Sequence, residues 1–108
     1  MSLLIESVSQ DGYHIISLEG DVDTKTAPAL LESLTALELT LIGDLRIEMA
    51  SVGFLSSAGL RALVFAKQKM PHNSRLVLVG ANADIAEVIQ KTGLNQAVTL
   101  VDDHDSLS

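Results

Sequence analysis

Three helical hydrophobic patterns alternate with runs of strand character in this chain, and that alternation restricts it to an α/β fold. The run from Leu3 to Ser9 stops at Gln10-Asp11-Gly12, and a second run from Tyr13 to Glu19 stops at Gly20. An Asp-Gly pair between two such runs is the strongest short-range hairpin signal, so the chain opens with two antiparallel strands. After Thr24 the repeat lengthens, with Ala27, Leu30, Leu31, Leu34 and Leu37 at helical spacing. Proline lacks an amide hydrogen and fits a helix only in its first turn, so Pro28 places the helix start between Thr24 and Ala27.

Gly43-Asp44 breaks the helical pattern, and Leu45 to Met49 alternates as a strand. Ser56-Ser57 followed by Leu60, Leu63, Val64 and Lys67 predicts a serine-capped helix that ends before Pro71. Arg75 to Val79 is nearly continuous in apolar residues, as in a central strand or one covered on both faces. Asn82 to Thr92 places Ile85, Val88 and Ile89 on one helical stripe that Gly93 closes, and Val98 to Val101 is a last short strand. The order ββαβαβαβ requires a mixed sheet, with the helices mainly on one face unless the strand order reverses. At 108 residues there is room for one core, so residues 1–108 form one domain, with residues 1–2 and 102–108 expected to be flexible ends.

Composition removes several function classes. The three aromatic residues, Tyr13, Phe54 and Phe65, cannot build a base-stacking platform, and a net charge of −7 repels phosphate backbones and anionic lipid. Nucleic acid is therefore not an expected partner; a basic protein surface is compatible with this charge, as is acidity for solubility alone. There is no cysteine, so disulfides, thiolate catalysis and cysteine metal sites are excluded. No basic leader precedes Leu3-Leu4-Ile5, and no apolar stretch approaches the roughly 20 residues that span a bilayer, so a cytoplasmic protein without membrane insertion is expected. No phosphate-binding glycine loop of the Walker or dinucleotide type is present, and no cofactor is expected. His104 among Asp102, Asp103 and Asp105 reads as a solvated tail, because adjacent residues of a flexible end do not preorganise a metal site.

The segment from Val52 to Arg61, Val-Gly-Phe-Leu-Ser-Ser-Ala-Gly-Leu-Arg, follows the central strand and opens a helix. Both hydroxyls at that junction are expected to face solvent, with unsatisfied backbone N–H groups behind them. Two readings are open on local chemistry: Ser is a favoured helix cap, and a phosphate on Ser would be stabilised there by the free donors and the helix dipole. Small Ala58 and Gly59 would leave room for a partner. Asp21 and Asp23, in the loop before the first helix, either contact a basic partner or, through Asp23 or Thr24, cap that helix.

Phe54-Leu55-Ser56-Ser57-Ala58-Gly59-Leu60 resembles the signature of STAS-domain anti-sigma factor antagonists, in which Asp-Ser-Ser-Gly-Leu follows an aromatic and an apolar residue. Gly20-Asp21-Val22-Asp23 is similar to that family's turn after its second strand, Leu76-Val77-Leu78-Val79-Gly80 to its fourth strand, and Thr92-Gly93-Leu94 to a helix end. The resemblance implies that Ser57 is the phosphoacceptor, that Ser56 replaces the family's Asp and so becomes a rival acceptor, and that Ala58 replaces its second Ser. It implies a partner surface of Asp21, Asp23, Thr24, Ser56, Ser57, Ala58, Gly59 and Arg61. The family's further C-terminal helix has space here for barely one turn after Asp102.

The implied function is a regulatory binding module and not an enzyme. Unphosphorylated, it would bind a serine-kinase anti-sigma factor; phosphate on Ser57 would weaken the contact, and a PP2C-type phosphatase would restore it. The alternative is a STAS scaffold subunit of a transporter or stressosome-like complex that is never phosphorylated. A hydrolase using Ser57 as nucleophile needs a base and an oxyanion site, which the scattered His14, His72 and His104 do not suggest.

Overall fold

The computed structural model describes residues 3–103. The hairpin forms as expected: β1 (Leu3–Gln10) and β2 (Tyr13–Val22) pair antiparallel from Gln10↔Tyr13 to Leu3↔Gly20, and Gly12 takes the positive φ of +87° that the tight turn requires. Next come α1 (Ala27–Thr35), β3 (Asp44–Leu55), α2 (Ser57–Lys69), β4 (Arg75–Val79), α3 (Ala83–Lys91) and β5 (Thr99–Val101). Pro28 sits in the first turn of α1, and Gly93, at φ +80°, closes α3 in the left-handed region.

The described strands form one sheet in the order β1-β2-β3-β4-β5, antiparallel at the hairpin and parallel beyond it. An order that never reverses sends successive crossovers of one hand to the same side, so the helices share a face. Leu30 and Leu34 of α1, Leu63 and Ala66 of α2, and Ile85 and Ile89 of α3 are buried in one cluster with Ile16, Leu18, Leu45, Ile47, Leu76 and Leu78 from the sheet. Val77 and Val79 are also buried, so β4 is covered on both sides. On the other face, Arg46 stacks over Tyr13 at 3.8 Å from the ring centre, and Asp44 bridges Arg46 and Arg75.

Several expectations need correction. Leu31 and Val88, placed on the core stripes by spacing, are 38% and 39% exposed. Leu31 follows buried Leu30 and Val88 precedes buried Ile89, each offset by about 100° around the helix, which takes it to the edge of the buried face. Short 3₁₀ turns at Leu39–Leu41 and Leu94–Gln96 stand where no element was expected.

The largest revision is in β3, which runs six residues past Met49 to Leu55. Between Ser17↔Glu48 and Glu19↔Ser51, and again between Gly20↔Val52 and Asp21↔Phe54, β3 carries one residue more than β2. Each bulge resets the alternation, so the buried positions go from Leu45, Ile47 and Met49 to Val52 and Leu55. The bulged strand ends beside β2, with Val22↔Leu55 as the last pair and Ser56 N–H donating to the Val22 carbonyl at 2.7 Å.

Gly59, buried in the first turn of α2, packs directly over that pair. A Cβ there would lie 2.6 Å from Val22 Cγ1 and 2.7 Å from Leu55 Cδ1. Contacts that short force the neighbours to move, and Val22 is branched at Cβ and stiff. The expected outcome is that Gly59→Ala destabilises the protein by roughly 1–2 kcal/mol, overpacking outweighing the better helix propensity of Ala, as read from urea unfolding. A variant as stable as wild-type would show that α2 does not need this close approach.

Candidate functional site

Three segments meet at the carboxyl ends of the parallel strands, the region of an α/β sheet where binding sites gather. They are the loop from Asp21 to Thr26, the junction from Phe54 to Gly59 and the turn from Gly80 to Asn82. Their connections are polar and local. Asn82 caps α3 by accepting from Ile85 N–H at 2.9 Å, while its amide Nδ2 donates to the carbonyl of Val52 at 3.3 Å. The strand that leads to the junction is thus tied to its neighbour by Asn82, which was read from sequence only as a helix start.

The two serines have different environments. Ser56 is the cap of α2: its backbone is extended, its side chain is buried, and its Oγ accepts from Gly59 N–H at 3.1 Å. This overturns the expectation that both hydroxyls face solvent, because a capping oxygen must turn inward over the helix end to reach the third amide. An Asp at the same position would accept the same bond, which explains in physical terms how Ser substitutes for it. Ser57, the first residue inside the helix, is exposed, and its hydroxyl makes no hydrogen bond among the described residues.

The remaining residues divide in the same way. Gly59 faces the core and gives room to Val22 and Leu55, not to a partner. Ala58 is half-buried, whereas Thr24 and Arg61 are exposed. Thr24, Ala27, Pro28, Leu31 and Ala58 line a shallow, mostly apolar groove between α1 and the start of α2. Phe54, 52% exposed, stands on the strand that enters the junction. Leu31 and Phe54 were not singled out from sequence as site residues; an apolar residue at the edge of a helical stripe was the available signal for Leu31.

Asp23 organises its own loop. Its Oδ1 accepts from the N–H groups of Lys25 and Thr26, both at 2.9 Å, and the Thr26 hydroxyl accepts from Asp23 N–H and donates to the Asp21 carbonyl. Thr26, not Asp23 or Thr24, occupies the cap position of α1, and its side chain does not cap the helix amides. The Asp23 carboxyl is held below the usual carboxylate range, chiefly by the Thr26 backbone N–H, with Lys25 N–H and the Thr26 hydroxyl adding to the effect and burial opposing it. Asp21 is half-buried and lies over Gly53, where a Cβ would come within 3.1 Å of its Oδ1.

No histidine belongs to these three segments. His14 is the second residue of β2, at the opposite end of the strand from the junction, and bonds Ser7 Oγ at 2.6 Å. Among the described residues no group of three or more His, Asp or Glu could hold a metal ion, and His104 lies outside them. Nor does any described helix have the length and apolarity to cross a membrane.

A model of the STAS domain matches residues 5–107. The chain belongs to the STAS domain family. The anti-sigma-B factor antagonist of Staphylococcus aureus is 28% identical over 95 residues, covering 87% of this chain and 88% of that protein. An anti-sigma factor antagonist from Mycobacterium paratuberculosis superposes with a TM-score of 0.87 at 28% identity, over 97% of this chain and 90% of the other. The Bacillus cell fate determinant SpoIIAA in its phosphorylated form shares the fold, with a TM-score of 0.72 at 13% identity over 98% and 96% of the two chains. In this STAS domain the capped junction runs from Phe54 to Leu60.

The lowered Asp23 pKa has a signed consequence for stability. A carboxylate whose folded pKa is depressed stabilises the fold above its unfolded pKa, about 3.9, and that stabilisation is lost as pH falls through the folded value. Asp23→Asn keeps an acceptor in the turn but does not titrate. The expected result, from urea midpoints across pH, is that wild-type exceeds Asp23→Asn at neutral pH and that the difference shrinks below about pH 4. A difference that stays constant into acid would contradict the bonding assigned to this loop.

Proposed function

We propose that this STAS domain is an anti-sigma factor antagonist switched by phosphorylation of Ser57. The observation that carries the reading is the division between adjacent hydroxyls: Ser56 is buried as the helix cap, and Ser57 is exposed with its Oγ unengaged among the described residues. Relatives named as anti-sigma factor antagonists support the role, and the resemblance of Phe54 to Leu60 to the family signature supports Ser57 as acceptor.

Unphosphorylated, the chain binds a serine-kinase anti-sigma factor through the junction and the facing Asp21–Thr26 loop, and this releases the sigma factor. Apolar contact is available from Phe54, Leu31 and the groove beside Ala58. The kinase then transfers the γ-phosphoryl group of ATP to Ser57 Oγ: the new P–O bond replaces the bridging bond to ADP, and the hydroxyl proton leaves to a base on the kinase. The phosphate adds a charge of about −1.5 to −2 at the contact surface, close to Asp21 and Asp23, and weakens the complex. A PP2C-type phosphatase hydrolyses the ester and returns the binding form. The fold tolerates both states because the modified oxygen bears no structural bond.

Incubation with ATP and a serine-kinase anti-sigma factor, followed by peptide mapping in a mass spectrometer, tests the reading. One phosphate on Ser57, its loss in Ser57→Ala, and binding weakened about tenfold or more in Ser57→Asp are the expected results. Phosphate absent from Ser57, or Ser57→Asp binding as tightly as wild-type, would remove the switch and favour a constitutive docking role.

A further inference from the structure

Helix α2 is a basic element in an acidic protein. Its 13 residues include Arg61, Lys67 and Lys69 and no carboxylate, in a chain of net charge −7. Arg61 is exposed and follows Ser57 by four positions, which puts the two side chains on one face of the helix with their Cβ atoms about 6 Å apart. The ion pairs of the described residues use Arg46, Arg75 and Lys91, and the Arg61 guanidinium makes no ion pair or hydrogen bond among those residues. A free guanidinium thus stands one turn beyond the exposed hydroxyl.

We infer that Arg61 is the intramolecular receptor for a phosphate on Ser57, folding back one helical turn to pair with its oxygens. The inference rests on the phosphorylation of Ser57 proposed above. Three features of the pair favour it. The guanidinium fork matches two phosphate oxygens, a geometry that a lysine ammonium does not offer. The anion precedes the cation at i,i+4, the favourable order on a helix. No acidic side chain on α2 competes for Arg61. The adjoining β2–α1 loop contributes the other charges near the position: Asp21 and Asp23 oppose a phosphate dianion, and exposed Lys25 favours it. Asp23 is already turned toward the amides of Lys25 and Thr26.

Phosphorylation then has two effects on the contact surface, since it adds an anion and withdraws Arg61 from any partner. The pair also favours the dianion over the monoanion, so it lowers the second ionisation of the phosphate.

The test uses the full chain with phosphoserine incorporated at position 57 during translation, so that no kinase is needed, and follows the phosphate by ³¹P NMR across pH. The expected result is a second pKa below the value of about 6 for an unpaired phosphate, raised by roughly 0.15–0.4 unit in Arg61→Gln and by less in Arg61→Lys. Lys25→Gln should shift it less than Arg61→Gln. Urea unfolding of unphosphorylated Arg61→Gln, expected to match wild-type, separates the pair from a fold defect. An unchanged pKa in Arg61→Gln overturns the inference, as does a larger shift from Lys25→Gln. Neither result bears on whether a kinase modifies Ser57, and failure of the kinase assay would leave this titration standing.

Discussion

The hydrogen bond from Gly59 N–H to Ser56 Oγ, made where α2 touches the ends of β2 and β3, is the constraint on which the site depends. It satisfies an amide at the helix start that would otherwise be buried without a partner. It also fixes the direction of the next residue. With Ser56 turned in over the helix end and Gly59 pressed against Val22 and Leu55, Ser57 is left pointing to solvent from a rigid base. The two bulges in β3 serve the same end, because they carry the strand to Val22 and deliver Ser56 to the Val22 carbonyl. A longer strand, a cap and a close glycine contact together hold one hydroxyl in place without using it.

That separation of tasks is what a switch residue needs. A side chain that bears structural bonds cannot be modified without loss of stability, and one on a mobile loop would transmit little to a partner. Ser57 avoids both conditions. The surface around it combines apolar area from Phe54, Leu31 and Ala58 with carboxylates on the facing loop, so charge added at Ser57 changes complementarity while the buried cluster of Leu30, Leu63, Ile47 and Ile85 is untouched. Arg61 extends the same logic along the helix. It carries a charge without an ion-pair partner among the described residues and lies within reach of the anion that modification would create.

Elements with a clear period or punctuation were legible from the residues. The Asp11-Gly12 turn, Pro28 near the start of α1, and Gly93 at the end of α3 placed the hairpin and two helices, because each reports a local backbone requirement. The second half of β3 was hidden, since each bulge breaks the alternation by which a strand is recognised and Val52 and Leu55 fall out of phase with Leu45 to Met49. Strand order was hidden too, being a property of long-range pairing. At the site, serine type and position marked the junction, but adjacency in sequence says nothing about which hydroxyl turns inward. That choice follows from the geometry of a cap, which reaches the third amide from one position only. Gly59 was misread as open space for the same reason: its neighbours Val22 and Leu55 are brought to it by the sheet.

The unequal burden on the two serines is open to direct measurement by urea unfolding and amide hydrogen exchange on Ser56→Ala and Ser57→Ala. Ser56→Ala is expected to cost about 1 kcal/mol and to strip exchange protection from the Gly59 amide. Ser57→Ala is expected to stay within about 0.5 kcal/mol of wild-type with Gly59 still protected. Equal losses in the two variants, or a Gly59 amide as protected in Ser56→Ala as in wild-type, would contradict the division of roles at the start of α2.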